Sequence, residues 1–165
     1  MNVEQILAKL ISFPVLGGKS NLSILSWIES YLTKLGIISF RVYNEEGNKS
    51  SLHCRIGPAV DGGIILSGHT DVVPVAGQNW DTDPFVLTEI GDKLYGRGSC
   101  DMKAFLACIM TAVPMMVNAH LKKPIYFAFS YDEEIGCLGA PDLIEAITSH
   151  YDEKPAYAWI GEPSM

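Results

Sequence analysis

The strongest constraint in this sequence is a pattern that recurs three times: a short apolar, β-prone run that breaks into chemically active polar residues. Ile64-Ile65-Leu66 leads into Ser67-Gly68-His69-Thr70-Asp71. The run from Ile125 leads into Ser130-Tyr131-Asp132-Glu133-Glu134, and the run from Tyr157 to Ile160 leads into Gly161-Glu162. Runs of this length and composition read as buried strands. Between them lie helical stretches, a long apolar one from about Lys103 and another from about Ala140 to Ser149. Such alternation predicts an α/β sheet, mostly parallel, with helices on both faces. Open α/β sheets bind ligands beyond the carboxyl ends of their strands, so the polar clusters are expected to meet in one crevice.

The rest of the chain completes one folding unit of 165 residues. Val3, Ile6, Leu7, Leu10 and Ile11 recur at helical spacing, with Asn2 and Gln5 placed as a capping box. A second helix is predicted from Asn21 to Leu35, stopped by Gly36. Strands are predicted at Ile37–Tyr43 and Leu52–Ile56, and a hairpin joins Phe85–Ile90 to Lys93–Tyr95 around Gly91-Asp92. Pro114 is expected to kink or end the long helix, because it removes a backbone donor.

Composition narrows the function classes. Twelve basic against nineteen acidic residues give a net charge of −7, which argues against nucleic acid or an anionic membrane as the main partner. The longest apolar run, Ala104 to Val117, suits a buried helix better than a bilayer span. The start of the chain lacks the pattern of a signal peptide. The four cysteines (Cys54, Cys100, Cys108, Cys137) form no CxxC pair, which predicts free thiols and a cytoplasmic location.

The polar residues then select a chemistry. Asp101, just ahead of the long helix, adds a fourth cluster. One imidazole and several carboxylates suit zinc or a similar dication. His69, Asp101, Glu134 and Glu162 lie 32, 33 and 28 residues apart, so the ligands would come from separate strand ends rather than from a zinc finger or an HExxH helix. Each residue taken alone has a plainer reading. His69 would be a hydrogen-bonded loop histidine, Asp101 a helix cap, and Glu133-Glu134 a solvated helix start. Together, the plain readings need four coincidences. Competing chemistries fit less well: Gly96-Arg97-Gly98 lacks the third glycine of a dinucleotide loop, and no GxSxG elbow or phosphate loop occurs. Cys100 reads as a buried thiol with no base placed to activate it.

Four ordered motifs carry a resemblance. SGHTDVVPV at 67–75, YGRGSCDMK at 95–103, SYDEEIGCLGA at 130–140 and GEPS at 161–164 resemble the co-catalytic zinc amidohydrolases, a family of deacetylases, desuccinylases, aminoacylases and carboxypeptidases. The resemblance spans nearly the whole chain and implies a zinc-exopeptidase-like α/β catalytic domain. Within that family, the stretches around SGHTDVVPV and SYDEEIGCLGA are most similar to enzymes that remove acetate from N-acetylornithine in arginine biosynthesis. Desuccinylases and aminoacylases are the nearest alternatives.

Carried over by position, the resemblance makes His69, Asp101 and Glu162 ligands of one metal. Asp101 would bridge to a second metal that Glu134 also holds. Zinc is the implied ion, two per complete site, with cobalt as an alternative. Asp71 would orient the His69 ring through its other nitrogen, and Glu133 would be the general base. A cis peptide is implied at Asp101-Met102. The implied substrate is a small N-acyl amino acid and the implied full-length form a homodimer. Three departures stand beside this. Ala104 replaces a usual glycine, the family's downstream metal-binding histidine has no counterpart, and its lid and dimerisation domain is absent. Residues 1–165 are therefore expected to be the amino-terminal, incomplete portion of a catalytic domain. Such a chain would be inactive alone, paired with a separately made carboxy-terminal half, or a non-catalytic remnant. His53, His120 and His150 lie outside the motifs and read as surface or structural residues.

Overall fold

A computed structural model describes residues 1–163. The chain opens with α1 (Val3–Ile11), whose Asn2 and Gln5 form the reciprocal capping box the sequence predicts. Its apolar spacing buries Ile6, Leu7, Leu10 and Ile11. In α2 (Leu22–Lys34) the same periodicity buries Ile24, Leu25, Ile28 and Leu32. Next come β1 (Ser39–Tyr43), β2 (Ser50–Ile56) and β3 (Ile64–His69), then the small hairpin of β4 (Thr88–Ile90) and β5 (Lys93–Tyr95). The last elements are α3 (Lys103–Asn118), β6 (Ile125–Ser130), α4 (Ala140–His150) and β7 (Tyr157–Ile160).

The main sheet has five strands in the order β1-β2-β6-β3-β7. β6, β3 and β7 are parallel neighbours, whereas β2 runs antiparallel to both β1 and β6. Four of the five strands thus point one way, with β2 alone reversed. Strand alternation sorts side chains to opposite faces. Phe127 and Phe129 of β6 join the main core with α1, α2 and α3. Tyr126 and Ala128 of the same strand pack with Leu143, Ile147 and Tyr151 on the α4 face. β6 is therefore covered on both sides, and truncating Phe127 to Ala would open a cavity costing about 3–5 kcal/mol.

The chain steps from β3 over α3 to β6 on one side, then back over α4 to β7 on the other. Crossovers of one hand that step in opposite directions leave on opposite faces of the sheet. A crevice results at the carboxyl ends of the adjacent strands β3 and β6.

Two features of the frame differ from sequence expectation. First, of the kink or end expected at Pro114, the end is not found: α3 runs on to Asn118. Pro114 has no N–H for the Met110 carbonyl, and the Tyr31 hydroxyl donates to that carbonyl instead, at 3.1 Å. Second, β3 continues through Ser67-Gly68-His69, because its pairing with β6 extends to His69 opposite Ser130. β7 is an edge strand on which Tyr157, Trp159 and Ile160 are exposed. Among the described residues no helix is long and apolar enough to cross a membrane.

Candidate metal centre

His69 closes β3 at the crevice, with only 1% of its surface exposed. The preceding glycine makes room for what faces it. A Cβ on Gly68 would stand 2.6 Å from Leu106 Cδ1 and 2.8 Å from Met102 Cε, so its absence lets the start of α3 close on β3. Met102 Sδ accepts the His69 N–H at 3.2 Å. The Asp101-Met102 peptide is cis, as the resemblance implies.

Four acidic residues approach the same imidazole from three other segments. Asp101 Oδ1 lies 3.0 Å from His69 Nε2. Asp101 does not cap α3, whose N-cap is Met102 with no side-chain cap bond, so the helix-cap reading is corrected. Glu162 Oε1 lies 3.7 Å from Nε2. It is delivered by Gly161, where a Cβ would stand 2.1 Å from the Phe105 ring. Glu133 Oε2 lies 3.8 Å from Nε2, and Glu134 shares a ligand-sized cluster with His69 and Asp101. These two glutamates do not start a helix, since α4 begins at Ala140. They sit in a tight turn closed by Leu138 N–H to the Asp132 carbonyl (3.1 Å) and Gly139 N–H to the Tyr131 carbonyl (3.2 Å).

The hydrogen bond at the far side of the ring fixes the tautomer. His69 Nδ1 lies 2.9 Å from the main-chain carbonyl oxygen of Asp71, which can only accept, so Nδ1 carries the proton. Nε2, turned toward the acids, is the atom free to bind a cation. The Asp71 carboxylate is 3.6 Å from Nδ1, and its two oxygens accept the N–H groups of Glu133 (3.1 Å) and Glu134 (3.2 Å). Asp71 thus supports the ring with its backbone and the Glu133–Glu134 turn with its side chain.

Electrostatics marks the same place. Burial acts to lower the His69 pKa, but Asp71, Glu162 and Asp101 together raise it above the ordinary value. Burial, then repulsion from Asp101, pushes Glu134 up. Burial raises Glu162 as well, with Asp101 and Glu133 adding to the rise against the pull of His69. Burial first, and then mutual repulsion, makes Glu134 and Glu162 hard to ionise, a cost that a bound cation would relieve.

Two overlapping sets have ligand atoms within 4.8 Å of one another: His69 with Asp101 and Glu134, and His69 with Glu133 and Glu162. One imidazole nitrogen and four carboxylates fit a zinc-like dication. All six residues singled out from the sequence (His69, Asp71, Asp101, Glu133, Glu134, Glu162) are gathered here. Of the GEPS motif, Ser164 lies outside the described residues.

Other expectations are adjusted. Cys100 is exposed rather than buried, and all four cysteines are free. Ala104 packs at the margin of the main core. His53 is buried and structural, with its Nδ1 3.1 Å from the Tyr151 hydroxyl.

Three supporting residues escaped the sequence reading. Lys103 is fully buried, donates to the Phe13 carbonyl at 2.8 Å, and is pushed down to about 8 by burial. Asp132 is buried and ion-paired with Lys49. The acidic triplet Asp132-Glu133-Glu134 was a local signal for Asp132. Lys49 had none, because its partner lies 83 residues away.

The crevice of this α/β sheet collects one imidazole and four carboxylates, a donor set suited to a dication. The chain belongs to Peptidase family M20/M25/M40, whose profile matches residues 65–165. It is 36% identical over 147 residues to the acetylornithine deacetylase of Salmonella arizonae, covering 88% of this chain and 37% of that protein. It is 35% identical over 168 residues to the acetylornithine deacetylase of Pasteurella multocida, covering 97% of this chain and 42% of that protein. The chain therefore spans about two fifths of the length of these curated relatives. Human carnosine dipeptidase 1 superposes with a TM-score of 0.84 at 23% identity, over 99% of this chain and 38% of its own. The metallo-carboxypeptidase Sso-CP2 of Sulfolobus solfataricus gives 0.84 at 20% identity, over 100% and 38%. These structures share the fold.

Proposed function

We propose that residues 1–165 are the amino-terminal part of the catalytic domain of a cytoplasmic metal-dependent amidohydrolase. Its substrate is N-acetylornithine, cleaved to ornithine and acetate in arginine biosynthesis. The observation that carries the hydrolase reading is the convergence of Asp101, Glu133 and Glu162 on Nε2 of a buried histidine whose Nδ1 is already engaged. The choice of acyl substrate rests on the identity to the two deacetylases.

In this reading His69, Asp101 and Glu162 hold one dication, while Asp101 and Glu134 contribute to a second. Zinc is the proposed ion, with cobalt able to replace it. When bound, such ions polarise a carbonyl and lower the pKa of water. Glu133 takes the proton from the attacking water and passes it to the leaving amine. Its side chain is about one-third exposed in the crevice, where substrate and water can both reach it. Asp71 keeps Nε2 aimed inward by engaging Nδ1 and holds Glu133 and Glu134 through their amides. The full-length form is proposed as a homodimer, with the substrate pocket completed by polypeptide equivalent to the remainder of the relatives.

The test measures ornithine released from N-acetylornithine by the zinc- or cobalt-loaded chain. It is run alone and with the carboxy-terminal portion of the Pasteurella multocida relative. Ornithine release that falls by about 10² to 10⁴ in Glu133→Gln, with metal content unchanged, is the expected result. Faster cleavage of N-succinyl-diaminopimelate or of other N-acetyl amino acids would overturn the substrate. Full turnover in Glu133→Gln would overturn the role of the base.

A further inference from the structure

Asp132 and Cys137 are the non-glycine residues with left-handed backbone among the described residues, at φ 53° and 56°, and they bracket Glu133-Glu134. Residues with a Cβ enter that region rarely, Asp more readily than most, and are held there by their surroundings. For Asp132 those surroundings are visible. Its carboxylate is 1% exposed. Oδ1 accepts the Gly18 N–H at 2.8 Å, and Oδ2 is ion-paired with the Lys49 ammonium. Lys49 is itself largely buried and stands 5.9 Å from the centre of the Tyr131 ring. The turn carrying both glutamates is therefore gripped twice. Asp71 takes its amides, and Lys49 with Gly18 takes the side chain of the residue just before them.

Asp132 belongs to neither ligand-sized cluster around His69. A buried, paired charge adds little net stability over an apolar replacement, and in some proteins it serves instead to fix one arrangement. We propose that Asp132, latched by Lys49 and the Gly18 N–H, is a positioning residue that sets Glu134 toward His69 and Asp101. The latch draws together the α1–α2 loop, the start of β2 and the turn after β6. It rests on the reading that Glu134 is a ligand of the second metal position.

The test is a titration of the chain with Co²⁺, followed by its visible d–d absorption, on the parent and on Glu134→Gln, Lys49→Met and Lys49→Arg. An orphaned buried carboxylate costs stability, so the charge-free pair Lys49→Met with Asp132→Asn is measured too, with thermal melting as the control for folding. In Lys49→Met and in the charge-free pair, the weaker Co²⁺ event is expected to lose about ten-fold or more in affinity. The spectral change should follow that of Glu134→Gln. Lys49→Arg keeps the ion pair and should restore most of the affinity. Parent-like affinity and spectrum in the folded charge-free pair, alongside weakened binding in Glu134→Gln, would overturn the latch alone. Unchanged binding in Glu134→Gln would instead overturn the ligand reading on which the latch rests.

Discussion

His69 donates from Nδ1 to the main-chain carbonyl of Asp71 at 2.9 Å, while the Asp71 carboxylate lies 3.6 Å from that nitrogen and accepts the amides of Glu133 and Glu134. One residue thus serves two parts of the site through two different groups. The backbone group sets the ring, and the side chain sets the turn.

That division separates two effects of one substitution. Asp71→Ala leaves the carbonyl in place and removes the acceptor for two amides. Unfolding in urea should show a loss of about 2 kcal/mol or more. The ¹⁵N shifts of the His69 ring should still report a proton on Nδ1. A ring that switches to the Nε2–H tautomer in Asp71→Ala would assign the orienting role to the carboxylate.

Tyr31 compensates for Pro114, and the pair can be tested as a cycle. Tyr31→Phe strips the donor from the Met110 carbonyl and should cost about 1 kcal/mol. Pro114→Ala restores an N–H at the i+4 position, so Tyr31→Phe should cost much less in that background. Equal costs in both backgrounds would show that the phenol and the proline act independently.

The large elements were legible because local rules coincide with the fold. The capping box of Asn2 and Gln5, the apolar spacing of Ile24, Ile28 and Leu32, and the turn at Gly91-Asp92 each specify structure within a few residues. The site residues were legible because four polar clusters recur at comparable places along the chain and match, in order, the motifs that carry the family resemblance, although each residue alone has a plainer reading. What stayed hidden depends on contacts across the chain. The reversal of β2 is set by its pairing with β6, and no local pattern encodes it. The Met110 carbonyl that Pro114 leaves without an N–H in α3 is met by Tyr31, 79 residues away in sequence. The Lys49–Asp132 pair and the bonds from the Glu133 and Glu134 amides to the Asp71 carboxylate appear only once the turn and β3 are packed together.

His53 should give the fold an acid-sensitive limb. Burial first, then the neighbouring His150, pushes its pKa down to about 4, so the folded state holds a neutral ring that the unfolded chain protonates near 6.5. The unfolded state therefore binds more protons between those values. This contribution to stability is present above about pH 6.5 and is lost as pH falls toward 4. The loss should reach about 3 kcal/mol. Urea midpoints measured across that range should decline less in His53→Gln than in the parent. Parallel declines would place the acid sensitivity elsewhere.

Gly161 should matter through Phe105 rather than through its own flexibility. A methyl group at 161 collides with the Phe105 ring, so either that ring or the segment carrying Glu162 has to shift; the segment is expected to give. Gly161→Ala should weaken zinc binding by about ten-fold, and adding Phe105→Ala should recover most of the loss. Failure of the second substitution to recover affinity would break the link between that contact and Glu162.

The central claim is that His69 and the surrounding carboxylates form a cation site. Zinc retained by the chain after dialysis, measured per mole of protein, tests it most directly. The account predicts about one tightly held ion per chain, bound through His69, Asp101 and Glu162, with a second held more weakly. The tight ion should be lost in His69→Ala while that variant stays folded. A folded parent chain that retains no zinc, or a His69→Ala chain that retains as much as the parent, would contradict it.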